Sequence, residues 1–556
     1  MPTLNWIGKD KVVNHHQDVP FRVLEHKYGY RDGVQSEEET GSGNMILHGD
    51  NLLALKALLP KYQGKVNCIY IDPPYNTGNE KWVYNDNVND PRIKKWLGEV
   101  VGTEGEDLSR HDKWLCMMYP RLVLLSKLLS EKGVIFISID DNEQATLKLV
   151  CDEIFGISNF IGQIILKTAT DNNRSQINIE HEYMLCYAKQ KNLQDVWVRQ
   201  GEATNRIIEQ YNALKKQYSE VDVIQKNLRL WIKEHKDELP QVAHYNNVDS
   251  RGVYSSSGNS SNPHPGGYMY DILHPITGKA CPKPANGWRW PEATFKSYVE
   301  ADEVEWGKDD TTQPHIKKRI ETCLEHLRTL IYEDNRATTK QLLDIFDGKK
   351  VFDNPKPVNV ISRILDYVTD KDSIILDSFA GSGTTAHAVL NLNKKDEGQR
   401  KFILIEMDDY ADTVTAERVR RIIKGYGEGD KAVEGTGGAF DYYELGKPLF
   451  KDDGNLNEEV GEGKIREYIY FSETQQNLPK RNPEKKYLMG RTFNASYYFY
   501  YEPDKTTTLS NETLRQIVNE KAEQYIIYAD ICTLTEEEMA KYSVIFKKIP
   551  RDIKHF

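Results

Sequence analysis

Residues 68–76 read Cys68-Ile69-Tyr70-Ile71-Asp72-Pro73-Pro74-Tyr75-Asn76, and that stretch limits the fold more than any other in the chain. A short apolar, β-branched run predicts a buried strand. Two consecutive prolines cannot continue a hydrogen-bonded ladder, so the strand stops at Asp72. Neither proline carries an N–H, which leaves the carbonyls of Asp72 and Pro73 as outward-facing acceptors beside a carboxylate and a flat ring. In open α/β sheets the carboxyl end of a strand is where ligands bind. Asp72, Pro73, Pro74 and Tyr75 are therefore the candidate catalytic residues. The alternative is a strand-to-turn junction in which Asp72 only caps the turn.

A second strand stands far downstream. Ser373-Ile374-Ile375-Leu376-Asp377 runs into Ser378-Phe379-Ala380-Gly381-Ser382-Gly383-Thr384-Thr385-Ala386 and then a helical His387-Ala388-Val389-Leu390. The glycines permit a tight turn and close backbone approach to a ligand at a helix start. A further strand, 401–405, ends on Glu406, where an acid can accept hydrogen bonds from ribose hydroxyls. Taken alone, Gly381-x-Gly383-x-x-Ala386 with an acid roughly twenty residues on fits the dinucleotide fingerprint. An NAD or FAD oxidoreductase is thus the rival reading, and the pairing with Asp72-Pro73-Pro74-Tyr75 decides against it.

An exocyclic amino group on a base is a poor nucleophile, because its lone pair is conjugated into the ring. Acceptors on both amino hydrogens, with an aromatic ring stacked on the base, help to free that lone pair. Asp72-Pro73-Pro74-Tyr75 together with Asp377-x-Phe379-x-Gly381-x-Gly383 resembles the amino methyltransferases of DNA. The order, catalytic motif first and glycines last with a large insert between, resembles their β group. The flanking text resembles the modification subunits of type III restriction–modification systems: Leu47-His48-Gly49-Asp50-Asn51-Leu52-Leu53-Ala54-Leu55-Lys56, Asn76-Thr77-Gly78, and Phe352-Asp353-Asn354-Pro355-Lys356-Pro357. The resemblance covers residues 44–190 and 345–425; the insert and the C-terminal region match only in placement.

The resemblance implies an α/β fold: a Rossmann-like S-adenosylmethionine-dependent methyltransferase sheet, split by an inserted target-recognition domain and followed by a C-terminal α+β domain. It implies methyl transfer from S-adenosyl-L-methionine to N6 of a flipped adenine in double-stranded DNA. Asp377, Phe379, Gly381, Gly383 and Thr384 would hold the cofactor, with Glu406 on its ribose, Lys356 near its entry and Asp50 near its adenine. Asp50 reads equally well as the N-cap of a helix over 52–59. The implied partners are a second copy of the chain and a separate helicase–nuclease restriction subunit. Cytosine-N4 transfer is the alternative, although related cytosine enzymes more often carry Ser before the Pro-Pro pair. A DNA-recognition or assembly subunit keeping a relic site is the non-enzymatic alternative, weakened because both motifs are intact.

A chain of 556 residues exceeds one core. The expected layout is an N-terminal extension (1–43), a catalytic half (44–190), a target-recognition insert (191–345), a cofactor-binding half (346–430) and a C-terminal assembly domain (431–556). In the catalytic half, apolar spacing predicts a helix over 114–129 and strands over 134–139, 159–166 and 183–188. Asp140-Asp141-Asn142-Glu143 reads as the cap of a helix over 144–155, with a part in an active-site rim as the alternative. The insert carries Trp288-Arg289-Trp290-Pro291 and His315-Ile316-Lys317-Lys318-Arg319. Trp288, Arg289, Lys317, Lys318 and Arg319 are the candidate DNA contacts. The bland alternative is core tryptophan and ordinary surface charge. The C-terminal region is tyrosine-rich, with strands near 497–501, 525–528 and 543–546 and a helix at 536–541.

A net charge of −11 sits awkwardly with a broad basic DNA footprint, but the acid is concentrated at 37–39, 104–107, 452–453 and 458–462. The seven cysteines are odd in number and scattered, with no Cys-x-x-Cys pair, so neither a zinc site nor a disulfide framework is expected. No run reaches membrane-helix length and no signal peptide opens the chain, which predicts a cytoplasmic protein without a structural metal. Gly461-Glu462-Gly463-Lys464-Ile465 lacks the first glycine and the final Ser or Thr of a P-loop. No ATPase motif and no nuclease constellation is legible.

Overall fold

The computed structural model describes residues 4–77, 110–167, 176–239, 241–333, 335–503, 505–518, 520–550 and 552–553. Gly78 and the acidic run 104–107 lie outside the described residues. The chain forms two compact units, one of residues 196–327 and one of the remainder.

The larger unit is built on an 11-stranded sheet. In chain order its strands are β1 (Arg22–Arg31), β2 (Val34–Ser36), β3 (Met45–His48), β4 (Val66–Ile71), β5 (Leu129–Ile139), β6 (Phe160–Lys167), β7 (His181–Ala188), β8 (Leu330–Tyr332), β9 (Ile374–Asp377), β10 (Lys401–Glu406) and β11 (Ala439–Pro448). Across the sheet they run β8-β6-β7-β5-β4-β9-β10-β3-β11-β1-β2. The middle strands, β5, β4, β9, β10 and β3, are parallel, whereas β7 runs antiparallel between β5 and β6.

Parallel strands covered on both faces read as near-continuous apolar runs. Ile69, Ile71, Ile135, Ile137, Leu376 and Ile403 share one core with helices α1 (Asn51–Tyr62) and α2 (Arg110–Leu128). Their neighbours Cys68, Phe136, Ile375, Phe402 and Leu404 point to the opposite face by strand alternation and are fully buried as well. From β4 the chain passes through α2 to β5 on one side. From β9 it passes through α3 (Thr384–Asp396) to β10 on the other. That reversal is a topological switch point, and the loops leaving β4 and β9 flank its crevice.

Four strands come from regions that the sequence assigns elsewhere. β1 and β2 lie in the expected N-terminal extension, β8 in the expected insert and β11 in the expected C-terminal domain. β11 pairs parallel with β3 and antiparallel with β1. The physical reason is the edge: Met45, Ile46 and Leu47 of β3 are buried, and without β11 their strand would present unpaired N–H and C=O groups. Past β11, Leu488–Arg491, Ala495–Phe499, Gln524–Ala529 and Val544–Lys548 form a separate four-stranded sheet. Helix Glu462–Thr474 packs on it, and helix Glu536–Lys541 stands where the tyrosine-rich pattern predicts it.

In the smaller unit, helices Glu202–Gln217 and Val221–Glu234 share a core with Val253 and Ile320. A four-stranded antiparallel sheet orders Val304–Glu305, His315–Arg319, Val253–Gly258 and Asn247–Val248. Among the described residues no helix is long and apolar enough to cross a membrane.

If β11 is part of the main sheet, truncating its fully buried Phe440 is a core lesion. Phe440→Ala should cost about 3–5 kcal/mol in urea unfolding. A loss within experimental error would show that 439–448 is a dispensable tail.

Candidate active site

β4 stops where the prolines begin, and Trp114 and Glu143 anchor the segment that follows. Trp114 Nε1 on α2 donates to the Pro74 carbonyl at 2.7 Å. Asn76 is buried at φ 62°, a left-handed backbone that few residues other than Gly, Asn and Asp adopt. Its amide donates to Glu143, a fully buried carboxylate that also accepts from the Thr146 hydroxyl. His111 Nδ1 meets the same Glu143 Oε1 at 2.7 Å. The acidic run 140–143 was expected to cap a helix, and Asp140 does accept from Asn142 N–H at 2.9 Å. Glu143, however, makes no capping bond to the helix Gln144–Cys151. It anchors Asn76 instead, a role that local spacing does not reveal.

Asp72 lies at the centre of a charged cluster. Its Oδ1 is sealed from solvent while a quarter of the side chain remains exposed. Lys356 Nζ stands 3.4 Å from that oxygen, 2.7 Å from Glu182 Oε2 and 2.5 Å from the Tyr75 hydroxyl, to which it donates. The Tyr75 hydroxyl in turn donates to Glu182 Oε2 at 2.9 Å, and Lys356 Nζ lies 4.8 Å from the Tyr75 ring centroid. Burial pushes the Asp72 carboxyl above its ordinary pKa; Lys356 pulls it back and Glu182 pushes it further up. For Lys356, burial works against the charged form, but Asp72 and Glu182 outweigh it and its pKa rises. Lys356 therefore sits on the Asp72 carboxylate, whereas its motif implies a place near a cofactor entry. Glu182 was missed; an acid opening the otherwise apolar β7 is the signal that could have found it.

The loop after β9 is braced from below. Asp377 Oδ1 accepts from Phe379 N–H at 3.0 Å and Oδ2 from the Thr385 hydroxyl at 2.5 Å. Glu406, ending β10, accepts from Gly381 N–H at 2.7 Å, Met407 N–H at 2.9 Å and Asp408 N–H at 3.1 Å. Burial pushes each carboxyl up to about 7, against the donors that favour its charged form. Gly381 and Gly383 have φ of 52° and 82°. A Cβ on Gly381 would meet the Phe352 ring at 3.1 Å, and one on Gly383 the Thr415 carbonyl at 3.1 Å. Thr384 Oγ1 accepts from the buried Arg418 at 2.9 Å. Phe379 is buried. Asp50 caps α1, accepting from Leu53 N–H at 3.0 Å, with its other oxygen 3.4 Å from Arg121.

The five candidate DNA contacts separate. Trp288 is fully buried among Ile272, Phe295, Val304 and Ile316, with its indole N–H donating to the Tyr270 carbonyl at 2.8 Å. Arg319 binds Asp249 at 2.7 and 2.9 Å and Glu303 at 2.8 Å, and Lys317 binds Asp249 at 2.9 Å. Each of these two cations keeps only 7% of its side chain exposed. Those three residues are corrected to core and internal ion pairing, because a fully packed or doubly paired side chain has nothing left to offer a base. Arg289 and Lys318 are exposed.

The sequence matches the family described as DNA methylase over residues 66–417. The type III restriction-modification enzyme EcoP15I Mod subunit of Escherichia coli is 35% identical, over 73% of this chain and 64% of its own. The corresponding StyLTI Mod subunit of Salmonella typhimurium is 37% identical, over 67% of this chain and 53% of its own. The type II methyltransferase M.KpnI of Klebsiella pneumoniae is 31% identical, over 66% of this chain and 81% of its own. The chain thus spans 53–64% of the length of the two Mod subunits.

Removing the Trp288 indole should cost about 3–5 kcal/mol in denaturant unfolding, whereas Arg289→Ala should stay within about 0.5 kcal/mol. Equal and small effects would return Trp288 to the surface.

Proposed function

The chain belongs to the DNA methylase family, and from that premise we propose that it transfers methyl groups from S-adenosyl-L-methionine to N6 of adenine in double-stranded DNA. One observation carries the reading: the Asp72–Tyr75 segment and the Gly381–Gly383 loop leave adjacent parallel strands at the same sheet edge. The glycine loop suits such a cofactor, since a Cβ at either glycine would crowd the loop and Glu406 already orders its Gly381 amide. Asp377, Phe379, Gly381, Gly383, Thr384 and Glu406 would hold it. Asp50 would stand near its adenine with the oxygen that does not cap α1. When bound, the cofactor supplies an electrophilic sulfonium methyl.

The protein's own contribution is positional and electrostatic. The target adenine cannot be reached within the stack and is flipped out. Asp72 and the Pro73 carbonyl accept its amino hydrogens, which turns the nitrogen lone pair out of conjugation. The Tyr75 ring offers a stacking surface, worth about 1–3 kcal/mol for a base on an aromatic. The Lys356 and Glu182 contacts to its hydroxyl hold that ring in place. Asp72, in place of the Ser more frequent in cytosine-N4 enzymes, favours adenine.

Similarity to the Mod subunits supports a modification subunit of a type III-like system. On that reading the chain pairs with a second copy and with a helicase–nuclease subunit, and its C-terminal region serves assembly. The insert reads the target, with Arg289 and Lys318 among its contacts.

Asp72→Ala should lower methyl transfer from tritiated cofactor by about 10²–10³-fold, while calorimetry finds cofactor affinity kept. Near-normal turnover would sink the assignment. Gly383→Val, by contrast, should abolish cofactor binding, because φ 82° and the Thr415 carbonyl leave no room for a side chain. Unchanged affinity would remove the glycine loop from the cofactor site.

A further inference from the structure

Lys356 is held by three groups of the catalytic segment and its surroundings: Asp72 at 3.4 Å, Glu182 at 2.7 Å and the Tyr75 hydroxyl at 2.5 Å. Two carboxylates and one ammonium leave the cluster with one net negative charge. Glu182 comes from β7, Lys356 from the segment before helix Val358–Val368, and Asp72 from the end of β4, so only the folded sheet assembles them. Among the described residues, the other ionisable groups coupled to this point are Tyr75 and Tyr70, Asp377 at the end of β9, and Asp140, whose carboxyl Glu182 pushes up.

The proposed methyl transfer needs Asp72 as an acceptor. An ionised carboxylate only accepts hydrogen bonds, whereas a protonated one presents an O–H and competes with the base's own amino hydrogens. As the N–C bond forms, the methyl–sulfur bond breaks with its electron pair going to sulfur, and positive charge grows on the amino nitrogen until one of its protons passes to Asp72 and on to solvent. A negative cluster stabilises that charge. Asp72 is, however, poorly solvated and close to a second carboxylate, two conditions that disfavour its charged form.

We propose that Lys356 and Glu182 are positioning residues with opposed electrostatic roles at Asp72. Lys356 keeps Asp72 in its anionic, hydrogen-accepting form. Glu182 keeps Lys356 and the Tyr75 hydroxyl in register and supplies the surplus negative charge. The assignment moves Lys356 from the cofactor side to the base side of the crevice, and it rests on the methyl-transfer reading above.

The test uses the full chain and compares pH profiles of single-turnover methyl transfer for the wild type, Lys356→Met, Lys356→Arg and Glu182→Gln. Removing the cation should shift the acid limb of Lys356→Met up by about 1–3 pH units. Removing the like charge should shift the limb of Glu182→Gln down. Lys356→Arg should track the wild type, and cofactor affinity by calorimetry should be the same in all four. A merely structural role lowers rates without moving the limbs in opposite directions. Coincident limbs, shifts of the same sign, or loss of cofactor binding in Lys356→Met would each overturn the proposal. Should the wild type transfer no methyl to DNA, the functional reading itself fails. The charge roles are then judged by the carbon-13 titration of the Asp72 carboxyl, assigned with Asp72→Asn. An upward shift in Lys356→Met with a downward shift in Glu182→Gln supports them, and any other pattern rejects them.

Discussion

The hydrogen-bonded pairing of β4 with β9, Cys68 against Ile375 and Ile69 against Leu376, is what the site depends on. Because the two strands are parallel, both end at the same edge of the sheet. Asp72 and Asp377 therefore open their loops side by side, although most of the chain lies between them. An antiparallel pair would have put the two loops at opposite edges. The intervening chain leaves after β7 and returns at β8, so a whole compact unit is accommodated without disturbing the pairing. The same geometry brings β7 and the segment before helix Val358–Val368 within reach of Asp72, which is how Glu182 and Lys356 arrive there.

The carboxylates around this edge do different work because their surroundings differ. Asp377 and Glu406 are buried and spend their oxygens on loop amides and a hydroxyl, so they act as braces. Glu143 does the same for Asn76 and thereby for the turn behind Tyr75. Burying a carboxylate without such partners costs several kcal/mol, which is why each of these has them. Asp72 is different. Its partner is a cation, and part of its side chain stays open to an incoming ligand.

What was legible in the sequence follows from local chemistry. Consecutive prolines end a strand wherever they fall, and a glycine-rich turn into a helix carries its own geometry, so both loops and the α/β class could be read directly. The tyrosine-rich strands of the C-terminal sheet were legible for the same reason. Features set by distant partners were not. Trp288 and Arg319 look like nucleic-acid contacts until Ile316, Asp249 and Glu303 are seen packed on or paired to them. β11 reads as the start of a C-terminal domain until β3 and β1 are seen on either side of it. Glu182 shows locally only as an acid at the start of an apolar strand and Lys356 only as part of its motif; their pairing with Asp72 exists only once β4, β7 and the segment before helix Val358–Val368 are assembled.

The central claim is that the Asp72 segment and the glycine loop together methylate an exocyclic amino group of adenine. Incubating unmethylated double-stranded DNA with the chain and methyl-deuterated S-adenosyl-L-methionine, followed by nucleoside mass spectrometry, tests it most directly. The account predicts labelled N6-methyldeoxyadenosine. Labelled N4-methyldeoxycytidine, or DNA without label in the presence of bound cofactor, would contradict it.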